Sequence, residues 1–205
     1  MQKRLILIGL LFIGLAGCAT KPPGTTSLPS AAETEAPVWG NRVGVLSNIQ
    51  DWDLNALIAI RANASHAATS ANMNWKQSKK NYDILLFGPL GTGAVKLAGQ
   101  PGYVALETAD GKKFNAATPE ALLLQQSGWN LPVSNLFYWI RGLPVPKIPA
   151  QKSFDSYHRL SELSQQGWTI QYLRYKNIGA IDVPDKMILA NSDVNVKIII
   201  KNWQF

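Results

Sequence analysis

The sequence predicts a mainly β (α+β) chain folded as a single domain, an antiparallel meander that curls into a barrel or a sandwich. Three observations carry this. Short runs of alternating hydropathy recur along the chain, separated by Gly, Pro and Asp turns. Aromatic residues are abundant, with seven Trp, six Tyr and six Phe in 205 residues, as suits strands and apolar cavities. No internal repeat and no second apolar core interrupts the pattern, so one domain accounts for the folded part.

The first residues read as an address. Lys3 and Arg4 are followed by an apolar run from Leu5 to Leu15 and then by Leu15-Ala16-Gly17-Cys18. Charged, apolar and small is the layout of a secretory signal, and the run is shorter than the ~20 residues of a membrane span. Leu-Ala-Gly-Cys also resembles the lipobox of bacterial lipoproteins. In such signals the cysteine thiol receives a diacylglyceryl group, the peptide is cut before it, and the new amine is acylated. Cys18 is the sole cysteine and stands where that motif needs it. Several acyl chains give stable attachment where one holds only marginally. Residues 1–17 are therefore expected to be a signal peptide. Residues 18–37, rich in Pro, Thr, Ser, Ala and Gly, are expected to be the lipidated cysteine and a flexible tether, and residues 38–205 the domain. Ala19, where an aspartate would favour the inner membrane, leans the expectation toward the outer membrane, with the domain facing the periplasm.

The domain opens with apolar spacings of three, four and seven, Trp39, Val43, Leu46 and Val38, Val45, Ile49, which predict a helix over 38–49 started by Pro37. Alternation then predicts strands over 54–60 and 72–77, with 62–71 as a loop of small polar residues. A strand over 81–87 runs into Gly88-Pro89-Leu90-Gly91. Strands over 94–98 and 103–108 follow, with Gln100-Pro101-Gly102 as a turn and Ala109-Asp110-Gly111-Lys112 as a tight hairpin. Thr118-Pro119-Glu120 places a capping hydroxyl, a first-turn proline and an acid at the start of a helix ending near Gly128. A second helix fits 133–141, closed by Gly142, and 143–149 with its three prolines is extended. Strands resume over 156–164, 168–175, 186–190 and 195–203.

The inventory excludes much chemistry. One cysteine allows neither an intrachain disulfide nor a cysteine-based zinc site, and two isolated histidines, His66 and His158, cannot build a His-rich metal centre. No phosphate-binding glycine motif occurs, and neither histidine lies near a GxSxG string. No cofactor, no metal and no enzymatic activity are expected. The pI is 9.5, but the basic residues are dispersed, with Lys76, Lys79 and Lys80 the local cluster. In an exported, lipid-anchored protein that charge suits anionic lipid or an acidic protein partner better than nucleic acid. Trp75, Trp129, Trp139, Trp168 and Trp203 fill a core or line a cavity. Leu90, between a proline and a glycine at the tip of a turn, is expected to be exposed and to act as a probe of lipid or of a hydrophobic ligand, unless it folds back on a neighbour.

These strings together resemble the LolB family of outer-membrane lipoprotein receptors. The resemblance rests on the lipobox at Cys18, Met73-Asn74-Trp75-Lys76-Gln77, Asn81-Tyr82-Asp83-Ile84-Leu85-Leu86, Gly88-Pro89-Leu90-Gly91, Gly128-Trp129-Asn130-Leu131-Pro132-Val133, Trp139-Ile140-Arg141-Gly142-Leu143-Pro144 and Gln166-Gly167-Trp168-Thr169-Ile170-Gln171-Tyr172. It implies an unclosed antiparallel β-barrel of about eleven strands, with a few helices capping a hydrophobic cavity. It further implies a receptor that accepts acylated lipoproteins from a LolA-type periplasmic carrier and inserts them into outer-membrane lipid. Leu90, with Pro89 and Gly91, is then the insertion loop. Trp75, Leu86, Trp129, Trp139, Ile140, Trp168 and Tyr172 are the expected lining for the acyl chains. Basic residues at the cavity mouth are expected to meet an acidic carrier surface, and the chain is expected to be a monomer. Two other readings stay open on the residues alone: a structural or adaptor envelope lipoprotein with a filled barrel, and a lipid-modifying hydrolase.

Overall fold

The computed structural model describes residues 31–127 and 131–205. Eleven strands form one sheet: β1 (Asp51–Ala62), β2 (Ala68–Ser78), β3 (Asn81–Phe87), β4 (Val95–Gln100), β5 (Tyr103–Thr108), β6 (Lys113–Ala116), β7 (Gln151–Phe154), β8 (Leu160–Gln165), β9 (Trp168–Ile178), β10 (Ile181–Ala190) and β11 (Val194–Gln204). Helix α1 (Ala31–Asn48) precedes the sheet, and α2 (Pro119–Ser127) and α3 (Val133–Trp139) fall between β6 and β7.

Strand order is β6-β5-β4-β3-β2-β1-β11-β10-β9-β8-β7, so every adjacent pair is consecutive in the chain except β1 with β11. That long-range pair is antiparallel from Asp53 opposite Gln204 to Ala62 opposite Val194. It joins the two halves of the meander. β6 and β7 remain the two outer edges, so the barrel is unclosed. The chain between those edges is the α2–α3 segment, and α2 packs on β5, β6 and α3.

Period-two alternation sets the inner face. Trp52, Leu54, Ala56 and Ile58 of β1 are buried, as are Val194, Val196, Ile198 and Ile200 of β11. These join Met73, Trp75, Ile84, Leu97, Leu106, Ile170, Met187 and Leu189 in one continuous core. Each such side chain contributes about 1.5–3 kcal/mol of burial.

Several boundaries differ from the sequence expectation. α1 begins at Ala31, inside the stretch read as tether, and Pro37 lies within it rather than at its start. Good helix formers, Ala31, Ala32, Glu33, Glu35 and Ala36, precede that proline. Of the two apolar stripes, Trp39, Val43, Leu46 and Ile49 pack, while Val38 and Val45 are exposed. Residues 68–71, read as loop, belong to β2, because β1 is long enough for Arg61 to pair with Ala68. Residues 156–159, read as strand, form a turn: the Asp155 carboxylate accepts from the backbone N–H of Tyr157 and Arg159, each at 2.9 Å, and His158 has φ 56. β10 extends back to Ile181 through Pro184, which a bulge against β9 accommodates. The short edge strands β6 and β7 carry too few residues to show a period.

Candidate functional site

The β3–β4 connection presents Leu90 outward. Gly88 N–H donates to the Thr92 carbonyl at 2.8 Å, Thr92 N–H donates to the Pro89 carbonyl at 3.2 Å, and the Thr92 hydroxyl donates to the same carbonyl at 2.9 Å. These bonds close a single tight turn. Leu90 sits at its tip with φ 58 and ψ 23, fully exposed at 103% of its reference area. A left-handed leucine costs about 1–2 kcal/mol, and a bare leucine in water gains nothing by packing. The turn therefore holds an apolar side chain away from the protein by its own hydrogen bonds.

Inside the barrel lies a cavity of about 80 Å³. Its walls are apolar or aromatic throughout: Ile58, Ile60, Met73, Trp75, Ile84, Leu86, Val95, Leu97, Leu106, Trp168, Leu189, Val196 and Ile198 from the strands, and Leu123, Leu131, Pro132, Val133 and Leu136 from the α2–α3 segment. Small-molecule sites usually span ~300–1,000 Å³. The cavity is therefore smaller than such sites, with the helical segment as one wall.

The residues singled out in the sequence divide into groups. Trp75, Leu86 and Trp168 border the cavity. Trp139, Ile140 and Tyr172 are buried in the adjoining core without bordering it. The Trp139 indole donates to Gln165 Oε1 at 2.9 Å, and the Tyr172 hydroxyl donates to the Trp139 carbonyl at 2.9 Å. Burial pushes the Tyr172 phenol well above its ordinary pKa, so it stays a neutral donor. Trp203 is a core residue whose indole donates to the Pro184 carbonyl at 3.0 Å. Cys18 and Trp129 lie outside the described residues. His66 sits in the β1–β2 turn beside Arg61 at 3.3 Å, and no serine or histidine borders the apolar cavity among the described residues.

Three features were missed in the sequence. Ile58, Met73, Ile84 and Leu97 border the cavity but were not among the expected lining, although strand alternation marks such positions as inward. Gln165 was not legible: it is buried, accepts from Val145 N–H at 2.9 Å, and donates to the Val145 and Ile148 carbonyls at 3.0 Å each. That side chain fixes the proline-rich segment that follows α3. Arg141 was not legible either. Its guanidinium is 2% exposed, lies 4.1 Å from the Phe137 ring centroid, and donates to three backbone carbonyls, of Phe137 (3.0 Å), Leu46 (3.1 Å) and Ile49 (2.7 Å). Burial pushes its pKa down to about 10, still far above neutral pH, so it remains a cation.

The match to known proteins agrees with this geometry. The family model described as "Outer membrane lipoprotein LolB" matches residues 50–203. The chain belongs to the LolB family. An outer-membrane lipoprotein LolB of Pseudomonas savastanoi is 39% identical over 205 residues, covering 100% of this chain and 97% of the relative. A LolB of Pseudomonas putida is 41% identical over 166 residues, covering 81% of this chain and 80% of the relative. Among solved structures, a LolA superfamily protein from Nitrosomonas europaea matches with TM-score 0.54 at 9% identity, covering 83% of this chain and 93% of that one. The last likeness concerns the fold: an unclosed antiparallel sheet with a helical cover. Membership of the LolB family makes this chain an outer-membrane lipoprotein of the lipoprotein-localisation pathway.

Proposed function

We propose that the domain accepts the acyl chains of lipoproteins from a LolA-type carrier, holds them in the apolar cavity, and releases them into the outer membrane beside the Leu90 loop. One observation carries the reading: an interior space with no polar wall residue, bounded on one side by a helical segment rather than by sheet. Inner strands are held by ladders on both sides, whereas α2 and α3 are held by side-chain packing and a few hydrogen bonds that involve side chains. Opening the cavity therefore means displacing Leu123, Leu131, Val133 and Leu136.

The same feature gives a direction. Each buried CH₂ is worth ~0.8 kcal/mol, and each tenfold change of affinity ~1.4 kcal/mol. A cavity that opens against its own packing holds a chain less tightly than a bilayer does, so the last step runs downhill without nucleotide. Lipidation of Cys18 keeps the domain at the membrane face, with the tether giving it reach. The domain works as a monomer facing the periplasm, and binding rather than catalysis is its task.

A transfer assay tests this. Carrier loaded with a lipoprotein is mixed with the mature chain bearing Cys18→Ala, and the cargo is followed by co-purification. Cargo is expected to move to the chain and, on adding liposomes, into lipid. Cargo that stays on the carrier would remove the receptor reading and favour a structural envelope lipoprotein.

A further inference from the structure

A second space lies at the end of the barrel opposite the Leu90 loop. It is formed by the β2–β3 turn, the β4–β5 turn, the end of α1 and the start of α2, and measures about 580 Å³. That falls within the range of ligand sites. Its charge is one-sided. Lys79, Lys80 and Arg141 line it, and no Asp or Glu side chain does. Glu120 approaches through Ser134, whose N–H and hydroxyl donate to its carboxylate at 2.7 and 3.1 Å.

Arg141 is the telling member. A buried guanidinium normally meets a carboxylate. Here Nε and Nη1 donate to backbone carbonyls, and Nη2 makes no hydrogen bond among the described residues. The remaining walls include the aromatic side chains Trp75, Tyr82, Phe137 and Tyr138. Trp75 and Val133 border both this pocket and the apolar cavity, so the cationic space adjoins the apolar one with these two side chains between them.

We propose that this pocket binds the anionic head group of an amphiphile, a phosphate-bearing membrane lipid, with its chain directed past Trp75 toward the apolar cavity. The acylated cysteine of a lipoprotein carries thioether, ester and amide groups at the head of its chains and no anion there, so the Lys79, Lys80 and Arg141 cations lining one pocket are not explained by that cargo. A free phosphate would use the cations but not the aromatic walls or the junction at Trp75. An anionic amphiphile uses all of them.

The test is a titration of the mature chain bearing Cys18→Ala, which keeps every described residue. The probes are dodecyl phosphate, its neutral dimethyl ester and inorganic phosphate, followed by tryptophan fluorescence. Dodecyl phosphate is expected to bind about tenfold more tightly than the ester. In the double variant Lys79→Asn/Lys80→Gln the preference is expected to shrink to a few-fold at most, carried by Arg141 alone, with ester affinity unchanged. Asparagine suits position 79 because its φ is 54, and circular dichroism verifies the fold. Equal binding of acid and ester, or a preference undiminished in the double variant, would overturn the proposal. So would inorganic phosphate binding as tightly as dodecyl phosphate, since the chain would then contribute nothing. These titrations contain neither carrier nor lipoprotein, so their outcome is independent of the receptor reading.

Discussion

Arg141 Nη1 donates to the Ile49 carbonyl at 2.7 Å and to the Leu46 carbonyl at 3.1 Å, tying the end of α1 to the residue just past α3. Leu46 lies in the last turn of α1 and Ile49 just past it, where carbonyls run short of intrahelical donors, and the buried arginine donates to both. Arg141→Met should therefore cost about 2–4 kcal/mol, read as a shift of the urea midpoint at constant slope. Arg141→Lys should recover little of it, because one ammonium cannot reproduce the planar fork. A midpoint unchanged in both would mean that water serves these carbonyls equally well.

Leu90 separates stability from function. Its left-handed conformation is strained for leucine and ordinary for asparagine. Leu90→Asn should leave the thermal midpoint equal or raise it by up to ~1 kcal/mol equivalent, while liposome insertion of cargo falls. Leu90→Glu should accept cargo from the carrier and fail to deliver it. Delivery at the wild-type rate by both variants would show that the apolar tip takes no part.

The two features argued above were not equally visible in the sequence. Leu90 could be placed because Pro89 and Gly91 announce a turn, and a leucine at a turn tip has no local packing reason. β3 and β5 were legible for a related reason: each is a short apolar-rich run between strong turn residues, and both occupy the expected spans, Asn81–Phe87 and Tyr103–Thr108. The start of β2 was hidden because Ala68, Thr69, Ser70 and Ala71 carry no hydropathy contrast, and they become strand through pairing with β1. β10 starts five residues before its expected span, and a bulge against β9 accommodates Pro184 within it. Arg141 was invisible as a latch, since its partners are carbonyls 92 and 95 residues away in sequence. Non-local partners of this kind leave no period to read.

Tyr82 lies across Gly99, its partner on β4. A Cβ at position 99 would fall 2.1 Å from Tyr82 Cζ, so the ring occupies the place of the missing side chain. Gly99→Ala should expel the ring and cost about 1–3 kcal/mol. Adding Tyr82→Ala to it should restore part of that loss, which a double-mutant cycle measures. Strictly additive losses would show that the two positions do not interact.

An acid-sensitive cluster joins β9 and β10 to the turn before β8. Asp182 accepts from Asn177 Nδ2 at 3.0 Å and from Arg159 Nη1 at 3.1 Å, and these outweigh partial burial to hold its carboxyl below the ordinary value. For Asp155, burial pushes upward, but bonds from the Arg159 backbone and side chain prevail. Both carboxyls thus bind protons more weakly in the folded chain than in the unfolded one. Their contribution is present above about pH 4 and is lost as pH falls below it. Asp182→Asn should lower stability at neutral pH and flatten the acid limb of the unfolding profile. A parallel profile would place the acid sensitivity elsewhere.

Filling the apolar cavity should block cargo without harming the fold. Val196 is buried on β11 and borders the cavity. In Val196→Phe the larger ring has some 80 Å³ of apolar space to enter, against the usual overpacking cost of about 1–3 kcal/mol. The thermal midpoint is therefore expected to stay near that of the wild type. An acyl chain entering beneath α2 and α3 would meet the ring where it needs room, so acceptance from the carrier should fall steeply. The Leu90 loop lies outside this cavity, so binding of the empty chain to liposomes should not change. If Val196→Phe accepts cargo as fast as the wild type while remaining folded, the acyl chains do not enter this space, and their site must lie outside the barrel.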